Sequence, residues 1–113
     1  MQSSSRPPLD SSTRRRYTEA VELEWDLKKA AKNLRKHKVS FTEAATVLAD
    51  PLSVTVRDPD HSADEDRYIT WGQSKRFRLV MVSHADRGER VRIVSARPMA
   101  PAEREAYEEQ TQG

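Results

Sequence analysis

His61, Glu65 and Arg67 follow one another closely, after a loop that also carries Asp58 and Asp60. An imidazole, a carboxylate and a guanidinium are the groups that metal-free cleavage of RNA calls for: a base for the 2′-hydroxyl, an acid for the 5′-oxygen leaving group, and a cation for the crowded phosphate. Arg97 joins them as a candidate because it closes the run Val94, Ser95, Ala96 at the end of an expected strand, where side chains commonly converge on a cleft. Which of His61 and Glu65 gives the proton and which takes it stays open at this level. The rival chemistry is a hard-metal site, since Asp58, Asp60, Asp64, Glu65 and Asp66 offer oxygen ligands. Nothing fixes a ligand spacing among them, so neither a metal nor another cofactor is expected.

Arg76, Arg78 and Arg92 lie on or beside neighbouring expected strands, and guanidinium forks fit phosphate oxygens in a two-pronged way that lysine does not. Lys36 and His37, at the end of the first expected helix, offer a second basic lip for an RNA strand. These five residues are the substrate-binding candidates. Plainer explanations stand beside them: strand arginines on a solvent face resist edge aggregation, and cations at a helix C-terminus complement its dipole. The sequence carries no Gly-rich phosphate loop, no Ser or Cys nucleophile elbow, no His-x-x-x-His pair and no zinc spacing.

The elements that must position these groups are legible in the apolar pattern. The chain has 113 residues, 35% of them hydrophobic and 34% charged, which suits one modest core around one sheet. Residues 1–18, rich in Ser, Pro and Arg, are expected to be a disordered leader, and residues 19–110 a single domain. Val21, Leu23 and Trp25 alternate with glutamates as in a half-buried strand. Asp26 caps a helix in which Leu27, Ala30, Ala31 and Leu34 form the apolar stripe, and Ser40 to Glu43 spell a capping box for a second helix with Phe41, Ala44, Ala45 and Leu48 inward. Strand signals follow at Leu52–Val56, Arg67–Trp71, Phe77–His84 and Val91–Arg97, joined by hairpin-length links at Gly72–Arg76 and Ala85–Arg90. A last helix carries Ala102, Ala106 and Tyr107 inward and its glutamates outward. The fold class is therefore α+β, in the order β-α-α-β-β-β-β-α, an antiparallel meander with helices on one sheet face. The Phe77–His84 strand is apolar on both sides, so the face bearing Val80 and Val82 is expected either to meet a partner chain or to be covered by the terminal helix or the leader.

No cysteine is present, which fits a reducing compartment, and no apolar stretch approaches the roughly 20 residues of a membrane span. A cytoplasmic protein without a membrane role is expected. Net charge is only +2, but it is sorted: lysines crowd Lys28 to Lys38 and arginines Lys75 to Arg97, while acid gathers at Asp58–Asp66 and Glu103–Glu109.

The run Glu24, Trp25, Asp26, then Asn33, Lys36, His37, Val39, Ser40, Phe41, Glu43 and Ala44, resembles the opening signature of the BrnT toxin family. Asp58, His61, Ser62, Glu65, Arg67, Gly72, Ser74, the run Arg92 to Arg97, and Glu103, Arg104 and Tyr107 are similar to its central and closing motifs. The resemblance implies a RelE-like fold and an endoribonuclease toxin that blocks translation. It also implies a cognate antitoxin, a DNA-binding protein from a neighbouring gene, in a complex containing a toxin homodimer. On that footing His61, Glu65, Arg67 and Arg97 are motif residues. The alternative is a non-catalytic nucleic-acid or protein binding module, an inactive toxin kept as a repressor subunit. Lys38 and Phe77 depart from the family's pattern, each standing where Gly is common.

Overall fold

Residues 22–61 and 65–112 are described in the computed structural model; the expected leader lies outside them, as do Val21, Ser62 and Asp64. Leu23 sits between Glu22 and Glu24 in a short strand, β1 (Glu22–Glu24). Asp26 then starts α1 (Leu27–His37), its carboxylate accepting the Lys29 N–H at 3.0 Å. Ser40 starts α2 (Phe41–Leu48) in the same way, accepting the Glu43 N–H at 3.0 Å. There follow β2 (Val54–Arg57), a 3-10 turn (Pro59–His61), β3 (Arg67–Gln73), β4 (Leu79–Arg87), β5 (Arg90–Pro98) and α3 (Pro101–Gln112). The element order is the one the sequence pattern predicts.

β2 to β5 pair antiparallel in succession, whereas β1 lies parallel to β5, giving a mixed sheet in the order β1-β5-β4-β3-β2. The expectation of a wholly antiparallel sheet is thereby corrected. The long stretch of chain between β1 and β5, through α1, α2 and the three intervening strands, lets the two run side by side in the same direction, which a tight hairpin cannot do. The β4–β5 link is also shorter than expected, because pairing continues to Arg87 and Arg90 and only Gly88 and Glu89 remain to turn the chain. Gly88 takes φ +66°, a conformation that the tight hairpin asks of its first central residue.

Val80 and Val82 are fully buried with Val91, Ile93 and Ala96 under Val39, Phe41, Ala44, Val47 and Leu48. They are the floor of the core, not a partner surface. The opposite face is the one left half-open, with Ile69, Trp71, Leu79 and Met81 on it and Val56 at its edge. α1 and α2 occupy one side, and the period-two strand then sorts its residues accordingly, while α3 reaches the other face at Arg97. A register shift in β5 opposite Ser83 and His84 sets Ile93 and Ala96, three positions apart, on the same buried face.

α1 is turned away from its apolar stripe. Leu27 is 78% exposed and Leu34 48%, while Asn33 is buried. The reason lies in β5, whose pairing with β1 extends only from Arg90 to Arg92. Further along, the Asn33 side chain acts as a missing peptide unit: Nδ2 donates to the Ala96 carbonyl at 2.8 Å and to Val39 O at 2.9 Å, and Oδ1 accepts the Ala96 N–H at 3.1 Å. α3 differs similarly. Ala102 and Ala106 are exposed, and Glu103, Tyr107 and Thr111, spaced four apart, face inward. Tyr107 donates to Asp50 Oδ2 and Leu52 O at 3.4 Å, and burial together with the Asp50 charge pushes its phenol up to about 12.

The two departures from glycine both sit in the left-handed region, Lys38 at φ 62° and Phe77 at φ 64°. For an L-residue this costs about 1–2 kcal/mol. Lys38→Gly should therefore stabilise the fold by about 1 kcal/mol in urea denaturation. Asn33→Ala should cost about 2–4 kcal/mol by the same measurement, since it strands the buried Ala96 groups; a loss under about 0.5 kcal/mol would mean that β5 needs no such closure.

Candidate active site

Asp58 leaves β2 with its backbone N–H bonded to Arg67 O at 2.9 Å, which fastens the start of the loop to the start of β3. Its carboxylate organises the turn that leads to His61: Oδ1 accepts the Asp60 N–H at 3.2 Å and Oδ2 meets His61 Nδ1 at 3.0 Å. Because a carboxylate accepts, the neutral imidazole carries its proton on Nδ1, and Nε2 is left as the acceptor. The His61 side chain is 64% exposed, so that nitrogen is within reach of a substrate.

Glu65 is held between two arginines, with Arg67 Nε donating to Oε2 and Arg87 Nη2 to Oε1, both at 2.9 Å. These bonds hold its carboxyl below the ordinary range, the Arg67 bond first and the Arg87 bond second. A carboxylate so placed is a poor proton donor. Arg67 shares the half-open sheet face with Arg92, each lying opposite Ala85, and Arg92 Nε donates to Glu24 at 3.3 Å. Arg87 was not foreseen, because the segment 85–90 reads as a link; the extra length of β4 brings it in. No group of three or more His, Asp or Glu side chains among the described residues is placed to hold a metal ion, and Asp64 lies outside them.

Arg97 stands apart from this cluster. It shares the same sheet face but lies opposite Met81, itself opposite Trp71, so its Cα is on the order of 16 Å from that of Arg67 by strand geometry. Expected as an exposed strand-end charge, it is instead paired in a fork with Glu103 of α3 at 2.8 and 2.9 Å. The pair holds Glu103 below its ordinary range and Arg97 above its own, the mutual hydrogen bond being the main cause for each.

The remaining candidates gather at the Arg97 end of the sheet. Glu43, expected to close a capping box, instead runs under the β3–β4 hairpin, where it is 6% exposed. It accepts from Ser74 Oγ at 2.7 Å and Arg78 Nε at 2.9 Å, and Arg78 Nη2 also donates to Lys38 O at 2.8 Å. Arg78 is therefore a tie between two turns. Beside it Lys36 and Arg76 are exposed and His37 is half-buried. The Arg78 bond is the largest influence holding the Glu43 carboxyl low, against the cost of burial.

With this geometry in view, the sequence is matched over residues 25–103 by the family model described as the ribonuclease toxin, BrnT, of type II toxin-antitoxin systems. The chain belongs to the BrnT ribonuclease toxin family. As a BrnT toxin it is a ribonuclease of a type II toxin-antitoxin system, with RNA as substrate and a cognate antitoxin as partner. The reading as a non-catalytic module is set aside. The 1.1 Å crystal structure of the ribonuclease toxin BrnT from Brucella abortus has the same fold, with a TM-score of 0.53 and 20% identity, over 71% of this chain and 97% of that one. No curated protein matches the sequence. Among the described residues no helix of this BrnT-family chain is long and apolar enough to cross a membrane.

Glu43 has a lowered folded-state pKa, so its contribution to stability is complete above the ordinary carboxylate value near 4.5 and is lost as pH falls through the lower one. Urea midpoints measured from neutral pH down to about 3 should fall over that window, and Glu43→Gln should flatten this part of the decline. Arg97→Ala should loosen α3 and speed tryptic cleavage at the exposed Arg104, with a global loss of only about 1 kcal/mol for a partly screened pair. Unchanged proteolysis would show that the fork does not hold the helix.

Proposed function

We propose that cleavage occurs at the His61 end of the half-open sheet face, without a metal ion. The observation that carries this is an exposed imidazole oriented through Nδ1 by Asp58, whose backbone N–H is bonded to the carbonyl of Arg67, one of the two arginines fixed by Glu65. In this reading His61 Nε2 takes the proton of the 2′-hydroxyl, which attacks the adjacent phosphorus and expels the 5′-oxygen. Arg67 and Arg87 hold the phosphate as charge builds on it, Arg92 holds a neighbouring phosphate, and Glu65 positions the guanidinium groups. Its lowered pKa argues against Glu65 as the acid, so the imidazolium formed by His61 returns the proton to the leaving group. Lys36, His37, Arg76 and Arg78 guide the strand at the far end, and Arg97 reaches it by exchanging Glu103 for a phosphate.

The same open face suits the antitoxin, since Trp71, Met81 and Val56 would be covered and the arginines masked together. A DNA-binding antitoxin, a toxin homodimer within the complex, a RelE-like fold and a cytoplasmic address complete the reading; they rest on the family resemblance and on the absence of cysteine.

His61→Ala should lower the cleavage rate on the order of 10² to 10³ while the melting curve stays in place, and Asp58→Asn should lower it less. EDTA should leave the parental rate unchanged. Activity lost to chelation and restored by magnesium or manganese would overturn the metal-independent scheme, and full activity of His61→Ala would move the centre elsewhere.

A further inference from the structure

Phe77 is 81% exposed at the tip of the β3–β4 hairpin and holds φ 64° there. Both facts are unfavourable, because an aromatic ring in water gains nothing from the core and a side chain in the left-handed region is strained. Glycine would remove both costs at once. A residue that destabilises its own turn and contributes no packing is explained by something outside the fold.

The surroundings point to its nature. The tip is not a loose loop: Phe77 N–H donates to Ser74 O at 2.8 Å, Ser74 Oγ accepts the Arg76 N–H at 3.1 Å, and Ser74 in turn donates to buried Glu43. Arg78 ties the same hairpin to the Lys38 carbonyl. The ring is thus presented from a rigid base, and Lys38 of the α1–α2 turn, with Lys36 in the last turn of α1, is tied to the hairpin that carries Lys75 and Arg76. These four exposed cations form no salt bridge with a carboxylate among the described residues. An exposed aromatic ring on a hairpin that itself carries the exposed cations Lys75 and Arg76, and that Arg78 joins to the turn bearing Lys38, matches a stacked base with its flanking phosphates.

We infer that Phe77 is a stacking platform for an unpaired base of single-stranded RNA, with Lys38, Lys75 and Arg76 on the neighbouring phosphates. The inference rests on RNA being the substrate and adds its form: the strand must be single where it crosses the hairpin tip. A protein partner would favour a broader apolar patch than one ring among cations, and is the competing outcome.

The test uses the full chain and a labelled single-stranded RNA blocked against cleavage by 2′-O-methyl groups, with the matching duplex as control. Phe77→Gly should raise the melting temperature by a few degrees, since it relieves the turn, yet weaken single-strand binding by about 5- to 100-fold. Phe77→Trp should bind at least as tightly as the parent. Duplex binding should not respond to either change. On cleavable single-stranded RNA, Phe77→Gly should raise KM and leave kcat within about two-fold. Equal single-strand affinity and KM in Phe77→Gly and parent would overturn the platform, as would a loss in Phe77→Gly that Phe77→Trp shares. So would an RNA-free assembly in sedimentation that dissolves on Phe77→Gly while RNA binding stays parental, which assigns the ring to protein contact. If the parent leaves RNA uncut but binding still depends on Phe77, the platform stands and the cleavage scheme fails.

Discussion

Glu43 is the carboxylate on which the arrangement depends. Taking a charge out of water is costly, and the Glu43 charge is tolerated because Arg78 and Ser74 saturate its oxygens beneath the hairpin. The same Arg78 continues to the Lys38 carbonyl, so one guanidinium fixes the α1–α2 turn and the β3–β4 hairpin to each other and to α2. The helix pair is thereby pinned over Val80 and Val82. That leaves the opposite face of the sheet half-open, and this is the face proposed above for RNA and antitoxin.

On that face each of the described arginines of the site is paired with a carboxylate. Glu65 holds Arg67 and Arg87, Glu24 holds Arg92, and Glu103 holds Arg97. Such pairing keeps guanidinium groups in fixed positions and limits the self-repulsion of a basic surface. It also makes phosphate a competitor of carboxylate. Where the carboxylate is anchored, as at Glu65 between two partners, phosphate adds to the assembly; at Arg97 it would displace the tie to α3. The two ends of the sheet are therefore suited to different tasks.

Much of this was legible in the sequence wherever a local rule decided the outcome. Asp26 and Ser40 marked the helix starts, period-two alternation marked the strands, and Lys38 and Phe77 stood out as residues in turns that favour glycine. The features that escaped were decided between distant segments. The stripe Leu27, Ala30, Ala31 and Leu34 obeys helical spacing, yet only Ala30 of it packs on the core, because a polar contact between Asn33 and a strand more than sixty residues away turned the helix. Glu43 satisfied the capping-box pattern but was drawn to Arg78, and Arg97 looked like a free strand end until Glu103 folded back on it. The pairing of Glu65 with Arg67 was within reach of the sequence because the two are neighbours along the chain. Arg87 needed the register of β4.

The closure of β5 by Asn33 gives the sheet a direction in which it can grow. On one side β1 covers the edge as far as Arg92, the Ala96 peptide groups are taken by a side chain, and Pro98 has no N–H to offer. On the other side, among the described residues, β2 pairs with β3 alone, so its outer backbone row faces no other described strand. Any chain that joins this molecule by strand addition, whether a regulatory segment or a misfolded copy, must do so along Val54 to Arg57, a four-residue edge too short to template a long ladder and ending in a charge.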